Sequence, residues 1–125
     1  MPECNMSMDE RVDILKRTTY LLLQSGFQAN QPGYRYLREA VLFACQDEEA
    51  VTSVTKLLYP EIAKRFKAND KQVERAIRNS IETAWTKGNH EVLQEIFQDC
   101  FAKSDTRPTN TEVIKVLRDR ISKEQ

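Results

Sequence analysis

The stretch from Pro60 to Trp85, PEIAKRFKANDKQVERAIRNSIETAW, constrains the fold of this chain more than any other. It places a short helix after Pro60, breaks at Ala68, Asn69 and Asp70, and then runs on at helical spacing for about 16 residues. Pro60 suits the first turn of a helix, where its missing N–H is not needed, and Asp70 is the expected N-cap of the longer helix. On that longer helix Val73, Ile77, Ser80, Ile81 and Ala84 share one side with Trp85 at its flank, while Lys71, Arg75, Arg78, Asn79 and Glu82 share the other and Glu74 sits at the boundary. Two helices joined this way form a helix-turn-helix, whose second helix can enter a DNA major groove.

The rest of the chain reads as support for that unit. From Met8 to Ser25, Val12, Leu15, Thr19, Leu22 and Leu23 recur at helical spacing and Gly26 supplies a stop. A loop with Asn30, Gln31, Pro32 and Gly33 precedes a second stripe from Tyr34 to Gln46, formed by Tyr34, Leu37, Val41, Leu42 and Cys45. The acidic run Asp47 to Glu49 opens a third helix that reaches Leu58 and ends before Pro60. Beyond Trp85, Gly88 and Asn89 break the chain, and a sixth helix is expected over His90 to Phe101. A connector from Lys103 to Arg107 then leads to Pro108, Thr109 and Asn110, which cap a last helix bearing Val113, Ile114, Leu117 and Ile121. The expected architecture is all-α, a compact bundle of about six helices over residues 8–125 behind a disordered leader at residues 1–7.

Charge narrows what such a bundle can do. Lysine plus arginine equals aspartate plus glutamate at 19 each, so there is no net field to attract nucleic acid at large. The distribution is uneven: residues 1–50 carry eight acids against five bases, whereas Lys64 to Lys87 carries seven bases against three acids. Cys4, Cys45 and Cys100 are too far apart for a zinc knuckle and odd in number for a disulfide framework, which fits a reducing cytoplasm. His90 stands alone, no nucleophile, paired-carboxylate or phosphate-loop motif is present, and no apolar run is long enough to span a membrane. Neither an enzyme nor a metal or cofactor site is expected.

The runs GYRYLREAV (33–41), SVTKLLYPEIAKRF (53–66), VERAIRNSIETAW (73–85) and RPTNTEVI (107–114) resemble the C-terminal DNA-binding effector domain of the stage-zero sporulation protein A family. The resemblance implies a bacterial, nucleoid-associated regulator that binds double-stranded DNA containing a TGTCGAA-type box. It also implies head-to-tail dimers on adjacent boxes and a contact with the sigma subunit of RNA polymerase. Carried over residue by residue, it makes Glu74, Arg75 and Arg78 the base-reading positions. Arginine can donate two parallel bonds to guanine and glutamate can accept from cytosine, as such a box needs. Lys71, Asn79, Lys56, Lys67, Thr109 and Asn110 are the expected backbone contacts, with Thr109 and Asn110 also capping the last helix. Asn79 stands where the family commonly has histidine. Glu91, Gln94, Glu95 and Gln98 form the expected polymerase-facing surface. The family's receiver domain has no counterpart here, so the chain is expected to be either a stand-alone effector or a piece of a longer regulator.

Two competing readings stand beside this one. Arg75 and Arg78 can be a solvated helix face, with Glu74 and Arg78 paired four residues apart. The chain can also act as a receiver-less partner that modulates a full-length regulator or polymerase by protein contact.

Overall fold

Ser7 begins the fold. Its Oγ accepts the Glu10 backbone N–H at 3.1 Å and caps helix α1, Met8–Ser25, whose first turn carries Asp9 and Glu10 against the helix dipole. In this computed structural model residues 6–98 and 107–123 are described. Ser7 and Met6, placed in the expected leader, take part in the fold, Ser7 as the cap and Met6 packed against the core. Residues 1–5 lie outside the described part. Gly26 closes α1 in the left-handed conformation at φ 98°, which glycine adopts without steric penalty.

The buried face of α1 is rotated from the expected stripe. Ile14, Thr18, Leu21, Leu22 and Ser25 point inward, while Val12 and Leu23 are exposed. Thr18 and Ser25 are compatible with the core because each hydroxyl donates to the carbonyl four residues back, at 2.7 Å, and so carries no unmet polar atom inward.

Helix α2, Pro32–Gln46, includes Pro32 and Gly33, two residues more than the sequence stripe indicates, with proline in the first turn. It lies centrally, packed against α1, α5 and the last helix. Gly33 is buried where α2 meets α5 (Asp70–Lys87), and a Cβ there would overlap the Ala76 carbonyl and the Ser80 hydroxyl. The third expected helix is not continuous. Glu49–Thr52 forms a short α3, Ser53 breaks the chain at φ −135° and ψ 53°, and Val54–Leu58 forms a π-turn leading into α4, Tyr59–Arg65. The stop therefore lies at Ser53, among β-branched Val51, Thr52, Val54 and Thr55, which are poor helix formers. The wider π-turn fits the proline ring that follows, because Pro60 has no N–H and would crowd a carbonyl four residues back in a regular helix.

Helix α6, His90–Ile96, is shorter than expected; Phe97 caps its end, and residues 99–101 of the expected helix, like the connector 103–106, lie outside the described residues. Helix α7, Asn110–Lys123, returns Val113, Ile114, Leu117 and Ile121 to the core. That core includes Leu22, Leu37, Leu58, Ile77, Leu93 and Phe97, and full burial of each such side chain is worth about 1.5–3 kcal/mol. The described residues contain no strand, and no helix among them is long and apolar enough to cross a membrane.

Candidate nucleic-acid interface

The helix-turn-helix is made by α4 and α5. Its turn is a left-handed cap: Lys67 takes φ 54° and the Ala68 N–H reaches back to the Ala63 carbonyl at 2.8 Å, closing the α4 carboxyl end. Phe66 fixes the turn to α2, edge-on to Tyr36 with centroids 5.2 Å apart and with the Arg35 guanidinium 5.9 Å from its ring centre. The N-cap of α5 is Asn69, one residue before the expected Asp70. Asn69 Oδ1 accepts the Gln72 N–H and Gln72 Oε1 accepts the Asn69 N–H, both at 2.9 Å. Asp70 sits in the first turn instead.

From this start the polarity of α5 follows the sequence. Val73, Ile77, Ser80, Ile81 and Ala84 are buried; Lys71, Arg75, Arg78, Asn79 and Glu82 are exposed and Glu74 is half-exposed. Trp85 is half-buried, edge-on to Phe97 at 5.1 Å between centroids. The outer face of α5 is thus a row of long polar side chains on a helix anchored from behind. Gln31 Nε2 adds to the anchorage by donating to Thr83 Oγ1 at 3.1 Å, while that hydroxyl donates within α5 to the Asn79 carbonyl at 3.0 Å.

Within that row Arg78 Nη1 pairs with Glu74 Oε1 at 3.0 Å, both side chains partly exposed. Such a pair is worth about 0.3–0.5 kcal/mol and opens readily when a better partner arrives. Arg75 makes no ion pair among the described residues and borders a shallow groove with Asn69, Lys71, Gln72 and Asn79. Arg65 is already held by Glu39 at 3.1 Å and Glu61 at 3.5 Å, whereas Lys56, Lys67 and Thr109 are exposed.

A second cleft, about 540 Å³, separates α5 from the start of α7; Tyr59, Glu74, Arg78, Arg107 and Thr109 line it. Arg107 approaches Glu82 to 3.8 Å. Thr109, the cap of α7, accepts the Glu112 N–H through Oγ1 at 3.2 Å and donates its own N–H to Glu112 Oε1 at 2.9 Å. Asn110 departs from expectation, being neither the cap nor exposed. It is buried, and its Nδ2 donates to the Tyr59 hydroxyl and to the Glu74 backbone carbonyl, each at 3.0 Å. Its amide is therefore spent inside the protein, which argues against the expected phosphate contact. Burial pushes the Tyr59 phenol above its usual range, against the lowering effects of the Asn110 bond and Arg78, so it stays neutral beside the cleft.

The structure adds Arg107 and Tyr59 to the residues near Glu74 and Arg78. Arg107 was legible as one more base ahead of the Pro-Thr-Asn cap, but its position beside Glu82 depends on packing. Glu91, Gln94, Glu95 and Gln98 are exposed, α6 is capped by Asn89, and Glu95 holds Arg120 at 3.1 Å. Among the described residues no group of three or more His, Cys, Asp or Glu side chains gathers as a metal site.

Residues 18–121 match the family model described as the C terminal of the sporulation initiation factor Spo0A. The match takes in the second half of α1, the helix-turn-helix, the cleft and all of α7 but its last two residues. With a helix-turn-helix whose second helix shows a polar outer face, and a family match over nearly its whole length, the chain belongs to the Spo0A C-terminal family of DNA-binding, sporulation-type transcription regulators.

Proposed function

We propose that α5 reads a TGTCGAA-like box in the major groove through Glu74, Arg75 and Arg78. The observation that carries this is the exposed polar face of α5, on which the Glu74–Arg78 pair lies partly open to solvent and Arg75 is unpaired among the described residues. On binding, Arg78 exchanges a weak carboxylate pair for guanine O6 and N7, and Glu74 is released to accept from cytosine N4. Lys71, Asn79, Lys56, Lys67 and Thr109 hold the flanking phosphates; Lys71 stands in the first turn of α5, where the helix dipole already favours an anion. Asn110 is left out of this set because its amide is buried. Two copies sit head to tail on adjacent boxes, and the exposed surface of Glu91, Gln94 and Glu95 on α6, with Gln98 just beyond it, meets the sigma subunit of RNA polymerase.

Titrating the protein against a labelled box duplex and a scrambled duplex, across several salt concentrations, tests the proposal. Affinity should fall with salt for both duplexes and favour the box at every concentration. Equal affinity for the two would favour the other reading, a partner that acts by contact with a full-length regulator or polymerase.

A further inference from the structure

Helix α5 is held on both edges of its polar face. On one edge Gly33 of α2 lies against the Ala76 carbonyl and the Ser80 side chain, so close that any side chain at position 33 would force the helices apart. On the other edge Asn110 reaches from the first turn of α7 to the Glu74 carbonyl, and the same amide nitrogen reaches the hydroxyl of Tyr59, at the start of α4. Position 74 is both the backbone contact and one of the proposed reading side chains, and Arg78, one turn on, is paired with it. We infer that Asn110 is a positioning residue: its buried amide fixes the rotation of α5 about its own axis and so aims Glu74 and Arg78.

The chemistry favours this role over simple stabilisation. The Glu74 carbonyl lies within α5, where it can accept a helical bond besides that from Asn110, and the Tyr59 hydroxyl keeps its own proton to donate. Losing the amide thus leaves neither oxygen without capacity, and its main effect is on orientation. Orientation matters because a bidentate base contact tolerates only about 0.5 Å and 10–20° of error. The inference rests on α5 being the base-reading helix, and its test separates the two ideas.

Asn110→Asp and Asn110→Ala are compared with wild type, alongside Tyr59→Phe, which removes one of the two bonds. Aspartate keeps the size of the side chain and suits the first turn of a helix, so it would rescue a purely local role in α7. It cannot donate to the Glu74 carbonyl, however, and would repel it. Both Asn110 variants should lower the box-to-scrambled affinity ratio about tenfold, the scale of one lost bidentate contact, with affinity for scrambled DNA unchanged. Tyr59→Phe should fall between them and wild type. In the absence of DNA, hydrogen exchange at the backbone amides of residues 74–78 should quicken in Asn110→Asp while α1 and α2 keep their protection. A wild-type ratio together with wild-type exchange in Asn110→Asp overturns the positioning role. Faster exchange in a protein whose wild type does not distinguish the duplexes supports the restraint and overturns the base-reading proposal instead.

Discussion

Lys67 is a lysine in a backbone conformation that favours glycine, and replacing it separates two roles the position can have. With φ at 54°, it sits at the left-handed cap between α4 and α5. For a residue with a Cβ that conformation costs about 1–2 kcal/mol. Glycine removes the clash but loses roughly 0.5–1 kcal/mol through its freer unfolded chain, which leaves a net gain of about 0.5–1 kcal/mol for Lys67→Gly. In a domain of this size that raises the melting temperature by on the order of 2–6 °C. If Lys67 also holds a phosphate, its removal reduces the slope of log affinity against log salt by about 0.9 and leaves the box-to-scrambled ratio alone. Lys67→Ala keeps the Cβ while dropping the charge, so it should show the salt effect without the thermal gain. Calorimetry and the salt-dependent titration read the two outcomes separately. A Lys67→Gly protein that melts at or below the wild-type temperature refutes the strain argument, and an unchanged salt slope in both variants refutes the phosphate contact.

Further outcomes follow from packing and charge. Gly33→Ala should destabilise the protein by about 1–3 kcal/mol, the range for overpacking, despite alanine's better helix propensity, because the obstacle is the α5 backbone; denaturant unfolding checks this. The Tyr59 phenol is raised above its ordinary value of 10.0 by burial, so the folded state favours the neutral form. That contribution is fully present below the unfolded-state pKa and is lost as pH rises through the folded one. Thermal stability should therefore drop more steeply above about pH 10 in wild type than in Tyr59→Phe.

The sequence carried α5 well, because its two faces differ in every turn and its ends are marked by Asn69, Asp70 and Gly88. The cap itself was ambiguous between two adjacent residues that can both serve. Gln72, three residues after Asn69, was the signal that decides it, since it completes the reciprocal capping box. The first helix offered two overlapping apolar stripes, and the buried one contains Thr18 and Ser25, whose self-satisfied hydroxyls cannot be told from solvent-facing ones in sequence. Pro60 marks a plausible stop, yet the chain breaks earlier, at Ser53 within a β-branched run, and widens into a π-turn before the proline, a signal that proline alone outweighed in the sequence. Asn110 is the clearest case of information absent from local sequence. Its partners lie 51 and 36 residues away, so nothing near a Pro-Thr-Asn cap shows that the asparagine faces inward. The fold was therefore legible where periodicity and caps decide it, and illegible where a single side chain spans distant elements.

A cycle between protein and DNA substitutions tests whether individual side chains of α5 contact individual bases. Wild type and Arg78→Ala are each titrated against the box and against boxes in which one G·C pair at a time is replaced. Wild type should lose about 1–3 kcal/mol at each contacted pair, whereas Arg78→Ala should become indifferent to one guanine and keep its sensitivity at the others. If Arg78→Ala weakens every duplex by the same factor, with base preference intact at all positions, Arg78 does not read the box, and the polar face of α5 is a phosphate-facing or solvated surface.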